Sequence, residues 1–200
     1  MKRVGYGQVE PNHLSAPRTG QVYAQLPAMN GNTPIAQLEN GQFLKYDYAN
    51  KCAGVGTSGD GKEWFLVFNE EKLYDERRQN HKDFVVKASD MVDKTIYPRL
   101  LKINVGDIFT TNTFRSDDNS PVTVTGPDAE ITMPDLTIGN YLQIDDDGWL
   151  VKYTAGVNDP DVPATGMVFQ VVPHFTQIEN AQAVYTLPDK QPAVKVQRIK

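Results

Sequence analysis

Short apolar segments separated by turn residues are the feature that most constrains the fold of this 200-residue chain. The segments are rich in β-branched and aromatic residues, and Gly, Pro, Asn or Asp follows each one closely. This pattern favours β-strands joined by tight turns. We therefore predict an all-β fold, an antiparallel barrel or sandwich. The strands are expected within residues 43–48, 64–68, 100–109, 122–125, 141–144, 149–153, 167–172 and 183–187.

Helix is expected to be scarce. The best candidate spans residues 70–78, with Asn69 as a potential N-cap, but it contains only Leu73 and Tyr74 as apolar residues. A short helical turn is also predicted within residues 89–92.

Residues 1–36 differ from the rest because eight Gly and Pro residues interrupt any long helix or strand ladder. Apolar residues are nevertheless scattered through the segment, so it is too apolar for a flexible tail. We predict an extended N-terminal arm that docks either on its own domain or on a neighbouring molecule.

The remaining chain is predicted to form a first β-rich part over residues 37–125 and a second over residues 126–200 with a basic C-terminal tail. The alternative is a single domain. A spacing of apolar residue, turn glycine and two large apolar residues occurs three times, around Gly41, Gly106 and Gly139. The favoured interpretation is three ordinary turns that share a spacing, and the other is three related strand–turn–strand units.

Composition limits the chemistry available to the chain. Twenty Lys and Arg against 25 Asp and Glu give a net charge of −5, which argues against electrostatic binding of nucleic acid across the whole surface. Cys52 is the only cysteine, so an internal disulfide or a cysteine-built metal site is excluded. The longest wholly apolar run, residues 64–68, is far shorter than the ~20 residues that span a bilayer. No membrane association is expected.

A glycine-rich segment, residues 54–62, partly matches two nucleotide-binding motifs. Residues 54–59 read G-x-G-x-x-G, and residues 56–62 read G-x-x-x-x-G-K. Both motifs need a helix after the glycines, whereas the segment at Trp64 predicts a strand. Glu63 also stands where a P-loop has Ser or Thr. We interpret the segment as a hairpin loop and predict no cofactor.

No metal or catalytic site is predicted elsewhere. Residues 145–148, Asp-Asp-Asp-Gly, suggest calcium, but neither Gln143 nor Thr154 supplies the carboxylate that a calcium loop needs at its ends. This segment instead predicts a two-residue Asp-Gly hairpin turn. His13, His81 and His174 stand far apart without metal-ligand spacing.

Charge is unevenly distributed. Residues 128–161 contain eight acids and one lysine, a net of −7, and residues 189–200 carry a net of +3. The favoured interpretation is solvated turns and a solvated tail, and the alternative is pairing between neighbouring subunits or with a charged scaffold.

The lead-in and the glycine-turn strands resemble the capsid-associated virion proteins of tailed bacteriophages, called decoration or cement proteins. The likeness lies in residues 10–16, 20–27, 38–47 and 139–151. The chain is longer than the compact members of this class, which leaves room for a second lobe. No family binding residue can be transferred, because the resemblance carries no diagnostic motif.

This resemblance implies a non-enzymatic structural protein, made in the bacterial cytoplasm, that binds the major capsid protein on the outer shell of the virion. It also implies a homo-oligomer, because capsid sites are symmetric. Tyr6, Leu14 and Tyr23 of the arm are the predicted partner-binding residues, and removal of residues 1–36 is expected to abolish attachment while the β-rich body stays folded. Two alternatives are a head-fibre or tail-associated module that binds a host receptor or glycan, and a hydrolase on a β scaffold.

Overall fold

The computed structural model describes residues 2–23, 26–57, 60–69, 85–115, 126, 128–156, 161–173, 184–186 and 191–200, with backbone only for residues 184–186. Within these residues the fold is all-β, as predicted. Its helices are one turn, α1 (Ala16–Thr19), and one 3-10 turn (Ala88–Asp90) at the place of the predicted short helical turn. No described helix has the length and apolar character to cross a membrane.

Most strands are short, as the frequent turn residues require. In chain order they are β1 (Lys2–Val4), β2 (Val9–His13), β3 (Val22–Tyr23), β4 (Met29–Asn30), β5 (Thr33–Pro34), β6 (Gln37–Glu39), β7 (Phe43–Asp47), β8 (Cys52–Gly54), β9 (Phe65–Val67), β10 (Val85–Lys87), β11 (Leu100–Lys102), β12 (Ile108–Thr111), β13 (Glu130–Thr132), β14 (Tyr141–Ile144), β15 (Leu150–Lys152), β16 (Phe169–Val171), β17 (Val184–Thr186) and β18 (Pro192–Arg198).

Two antiparallel sheets form the body of the protein. One has five strands in the order β3-β11-β9-β7-β8, and the other has seven, in the order β15-β14-β16-β18-β12-β2 with β17 also paired to β18. Neither sheet closes into a barrel among the described strands, so of the two predicted architectures the sandwich fits. Three ribbons of two strands each, β1-β13, β6-β10 and β4-β5, complete the pairing.

The five-stranded sheet is buried on both faces. One face shares a core with the seven-stranded sheet, to which Phe43 and Leu66 contribute beside Phe109 and Phe169. On the other face a second core is covered by the β6-β10 ribbon and by the segment around Ile96. Successive side chains of a strand point to opposite faces, so the continuous apolar run at β9 supplies both cores.

The predicted N-terminal arm lies on its own domain. β2 forms the edge of the seven-stranded sheet beside β12, and Val9, Leu14 and Ala16 are buried in the main core. β3 likewise forms the edge of the five-stranded sheet. Of the two dockings predicted for residues 1–36, the described residues therefore show the internal one.

A buried ion pair fastens the start of the arm. The Arg3 guanidinium donates to the Glu39 carboxylate at 2.9 Å, and both side chains are almost fully buried. Arg3 also donates to the Asn112 carbonyl and lies 5.8 Å from the centre of the Trp149 ring. The Gly7 amide donates to the same carboxylate at 2.7 Å. Each charge is therefore compensated, as burial demands.

Most of the predicted basic C-terminal tail is a strand. Residues 192–198 form β18, which pairs with β16, β12 and β17 inside the seven-stranded sheet. Val194 and Val196 alternate into the core, and Arg198 pairs with Glu63 at 2.9 Å. The alternation of the two valines is a strand signal that the high charge of the segment concealed.

The spacing that occurs around Gly41, Gly106 and Gly139 corresponds to one local structure, a β-turn of the same form each time. In each unit a β-turn brings the amide after the glycine to the carbonyl three residues earlier, and the glycine φ lies between 92° and 97°. A side-chain oxygen of the last turn residue accepts the amide of the first, at 2.7–2.9 Å. Each glycine amide also donates to a neighbouring strand, at the carbonyls of Val67, Arg198 and Val171. The positive φ explains why glycine occupies all three positions.

The predicted hairpin of residues 145–148 is present, but its loop is longer than two residues. The Asp145 amide donates to the Trp149 carbonyl at 2.9 Å, and the Gly148 amide returns to the Asp145 carbonyl at 3.1 Å. Three residues, 146–148, thus connect the strands, with Gly148 at φ 82°. This is the three-residue loop that ends in a left-handed residue.

Several predictions fall outside the described residues. They are the helix over 70–78, the strand over 122–125, and the histidines His81 and His174. The boundaries predicted at 36 and 125 do not separate the sheets, because the seven-stranded sheet takes strands from all three predicted segments.

Candidate functional site

The three predicted partner-binding residues do not lie on one surface. Tyr6 and Leu14 are buried inside the chain's own fold, at 6% and 4% exposure, whereas Tyr23 is 40% exposed. Tyr6 packs with Ile131, and Leu14 belongs to the main core. Of the three, Tyr23 alone offers substantial surface to a partner.

Tyr23 is part of a cluster of rings at the border of the second core, which we call the tyrosine face (Tyr23, Tyr46, Tyr48 and Phe65). The centre of the Tyr46 ring lies 4.8 Å from that of Phe65 and 5.8 Å from that of Tyr23, and both contacts are edge-to-face. Tyr48 stacks on Tyr46 at 5.5 Å with 15° between the planes, and it is 72% exposed. Strand alternation brings the pair together, because Tyr46 lies on β7 and Tyr48 follows two residues later, directly after the strand ends.

A polar cavity of about 170 Å³ adjoins the tyrosine face. It lies between the β4-β5 ribbon, the β7-β8 hairpin and the glycine-rich loop, and Asn32, Asp47, Asn50, Cys52 and Lys62 are among its lining residues. A shallower hollow of about 460 Å³ runs over Tyr48 and Phe65. Tyr46, Asp47 and Lys62 line both, so cavity and hollow lie side by side.

Lys45 holds the glycine-rich loop in place beside this cavity. Its ammonium group lies 4.3 Å from the centre of the Trp64 ring and donates to the Thr57 carbonyl at 2.6 Å and to the Asp60 carboxylate. No helix follows the loop within residues 60–69, and β9 begins at Phe65. The described part of the loop therefore leads into a strand, as the sequence indicated. The predicted hairpin is wrong, because the loop connects β8 to β9, which pair with opposite edges of β7.

Local charges set the protonation of the cavity side chains. Hydrogen bonds from the Asn50 side chain and backbone, at 2.8 and 3.1 Å, lower the pKa of Asp47. Burial and the Asp47 charge raise the pKa of the Cys52 thiol. Burial, with smaller contributions from the phenols of Tyr48 and Tyr23, raises the pKa of Tyr46. The site thus presents the Asp47 carboxylate as an acceptor, beside a Tyr46 phenol that stays neutral.

A second exposed feature is the apolar loop, residues 91–97, between the 3-10 turn and β11. Met91, Val92 and Tyr97 are 38%, 107% and 53% exposed. The loop is nevertheless ordered. The Lys94 amide donates to the Met91 carbonyl within the loop. The Ala28 amide donates to the carbonyl of Ile96, whose side chain is buried. A protein that holds apolar side chains out in water on an ordered loop presents a surface suited to a partner.

The other sequence candidates have structural partners. Asp145 accepts hydrogen bonds from the Trp149 amide and from Arg115, which also reaches Asp147 at 3.2 Å. No cluster of three or more potential metal ligands occurs within the described residues. The Ser15 hydroxyl donates to the Asp107 carboxylate at 2.9 Å, a bond that joins the start of α1 to the second repeat turn.

Sequence reasoning identified Tyr23 but missed its ring partners and the apolar loop. The alternation of Leu44, Tyr46 and Tyr48 was a usable signal, since it places large residues on one face. No family model, curated protein or solved structure matches the chain.

Proposed function

We propose that this chain is a non-enzymatic structural protein of a tailed-phage virion that binds the major capsid protein on the outer shell. The observation that carries the binding role is the apolar loop. Its Val92 is fully exposed, although backbone hydrogen bonds of Met91, Lys94 and Ile96 hold the loop on either side. The likeness of residues 10–16, 20–27, 38–47 and 139–151 to decoration proteins supports the virion assignment.

Two properties of the loop suit a stable protein contact. Met and Tyr are enriched at protein interfaces, and the loop offers Met91 and Tyr97 beside Val92. The side chains of Ser89, Asp93 and Thr95 take part in short-range hydrogen bonds that fix the loop before it meets a partner. Binding therefore orders little additional backbone, which lowers its entropic cost.

Co-sedimentation of the purified protein with capsids that lack it tests the proposal. Val92→Asp and Tyr97→Ala are expected to weaken attachment by about tenfold each, because each removes a central apolar contact. Val105→Asp is the matched control, since Val105 is a 64% exposed valine on a different turn. Failure of the wild-type protein to sediment with capsids, or equal effects of the three substitutions, would refute it.

Oligomeric state is a separate part of the proposal. Symmetric capsid sites favour a homo-oligomer of the bound protein. Light scattering of the free protein and occupancy counts on capsids measure it independently of attachment.

A further inference from the structure

We propose that the polar cavity and the tyrosine face together bind one ring of a neutral saccharide. This inference goes beyond capsid attachment and does not depend on it. The cavity and the tyrosine face are separate from the apolar loop, which is the proposed capsid contact.

The tyrosine face supplies a flat apolar platform. Tyr48 is stacked on Tyr46, so one face of its ring is supported by the protein while 72% of the side chain remains exposed. One face of a pyranose ring carries mainly C–H groups, which pack on such an aromatic surface. An aromatic ring that is braced from behind loses little freedom when a ligand covers it.

The cavity supplies the polar half of the site. Asp47 offers a carboxylate oriented by Asn50, and Asn32 adds an amide able to donate and to accept. The Tyr46 hydroxyl is buried and has no hydrogen-bond partner among the described residues. Because this hydroxyl is enclosed, the polar contacts to a ligand would come from Asp47 and Asn32.

Size and charge narrow the ligand class. A cavity of about 170 Å³ is smaller than the ~300–1,000 Å³ sites of drug-sized ligands and therefore admits a single ring. Lys45 is paired with Asp60, and Glu63 is paired with Lys102 and Arg198. Asp47 and Lys62 then contribute opposite charges, so a neutral polyol fits better than a phosphate or an acidic sugar.

A proline-rich peptide is the main competitor, because it also stacks on tyrosines. It would leave the cavity unused, since proline rings offer no hydroxyl to Asp47 or Asn32. A ligand that stacks on Tyr48 and reaches into the adjoining cavity uses both features, which favours the saccharide.

The test uses the full-length protein without capsids. A printed array of neutral hexose and N-acetylhexosamine glycans selects probes, which are then titrated by saturation-transfer NMR, with dissociation constants expected on the order of 1 mM. Tyr48→Ala should weaken binding by about tenfold or more. Tyr48→Phe keeps the ring and should retain binding, as should Tyr97→Ala, a matched loss of an exposed tyrosine outside the site.

Cys52 provides a second measurement, because it lines the cavity. Saturating glycan should slow its alkylation by iodoacetamide under mildly alkaline conditions, where the raised pKa still permits reaction. The proposal is overturned if no neutral glycan binds, if Tyr48→Ala binds normally, if Cys52 is not protected, or if a polyproline peptide occupies the site in place of glycans. Tyr48→Ala should still sediment with capsids, because Tyr48 lies outside the apolar loop. This measurement separates a failure of the saccharide proposal from a failure of the capsid proposal.

Discussion

Gly148 meets two demands of the β14-β15 hairpin at once. Its φ of 82° lies in the left-handed region, and a Cβ there would stand 2.1 Å from the Phe43 carbonyl oxygen. The Gly148 carbonyl in turn accepts the Phe43 amide at 2.8 Å, which joins this hairpin to β7 of the five-stranded sheet. One residue thus shapes a turn and permits contact between the two sheets.

Gly148→Ala is expected to lower the free energy of unfolding by about 3–5 kcal/mol, because backbone strain and overlap with Phe43 add. Gly139→Ala is the control. It has a similar φ of 92° but open space around its Cβ, so about 1 kcal/mol is expected. Urea unfolding measures both, and equal losses would contradict the steric argument.

Arg3 and Glu39 show what burial does to an ion pair. Burial is the largest influence on Glu39 and raises its pKa, although Arg3 and the Gly7 amide act in the opposite direction. Because the folded pKa exceeds the unfolded one, the stability linked to Glu39 is fully present below the unfolded pKa and is lost as the pH rises through the folded pKa.

Arg3→Met is expected to cost about 3 kcal/mol or more, since it leaves the Glu39 charge buried and uncompensated. It also raises the pKa of Glu39 further, so the deficit relative to wild type should be smaller near about pH 5 than near about pH 8. Lys2→Met breaks the exposed Lys2–Glu130 pair and should show a much smaller loss. Urea unfolding of wild type and both variants at the two pH values measures this, and a pH-independent deficit for Arg3→Met would argue against the mechanism.

At the scale of elements, the N-terminal segment is a component of both the sheet and the core. β2 covers the open edge of β12, and Val9 fills part of the main core. The Gln8 amide and carbonyl bond to Asn112 and Thr111, which lie in a fully buried polar stretch, residues 110–113. These contacts change what truncation should do.

Deletion of residues 2–13 should abolish cooperative folding, in contrast to the sequence-based expectation of an intact body. It removes β1 and β2, uncovers buried polar groups beside β12 and leaves Glu39 without Arg3. Near-UV circular dichroism during heating tests this. Pro11→Ala is the control. Pro11 is exposed on the edge strand, so this variant should unfold like the wild-type protein. A truncated protein with a sharp, native-like transition would restore the detachable-arm model.

Local pattern predicted the elements whose signal lies within a few residues. β14 matches its predicted range, and β7, β9, β15 and β16 lie within theirs. A short apolar run between turn residues, alternating or continuous, suffices to identify such a strand. β1 to β5 were missed, since strands of two to five residues with Gly and Pro nearby show no period of their own. Such strands exist because distant partners supply their hydrogen bonds.

The candidate site was harder to predict than the strands. The tyrosine face needs β3, β7 and β9 side by side, and nothing local in the sequence specifies that neighbourhood. The Arg3–Glu39 pair likewise joins residues far apart in the chain. Alternation at Val194 and Val196, in contrast, was visible, and the surrounding charge outweighed it in the prediction of a basic tail.

For the whole molecule, the main core joins the two sheets, and β7, β9 and β11 connect it to the second core because they supply residues to both. The surfaces assigned to capsid and saccharide are carried by this shared framework. Loss of either surface by the substitutions proposed above should leave the framework intact, since Val92, Tyr97 and Tyr48 are all exposed.

The position of β18 has a consequence for synthesis. This strand pairs with β12, β16 and β17, yet it follows all of them in the sequence. During translation β12 and β16 therefore emerge before the strand that lies between them. Their backbone groups on that side have no partner, and the main core cannot close until residues 192–198 leave the ribosome. Slow, non-local closure of this kind exposes apolar strand edges. The nascent chain is thus expected to depend on chaperones until its final strand arrives.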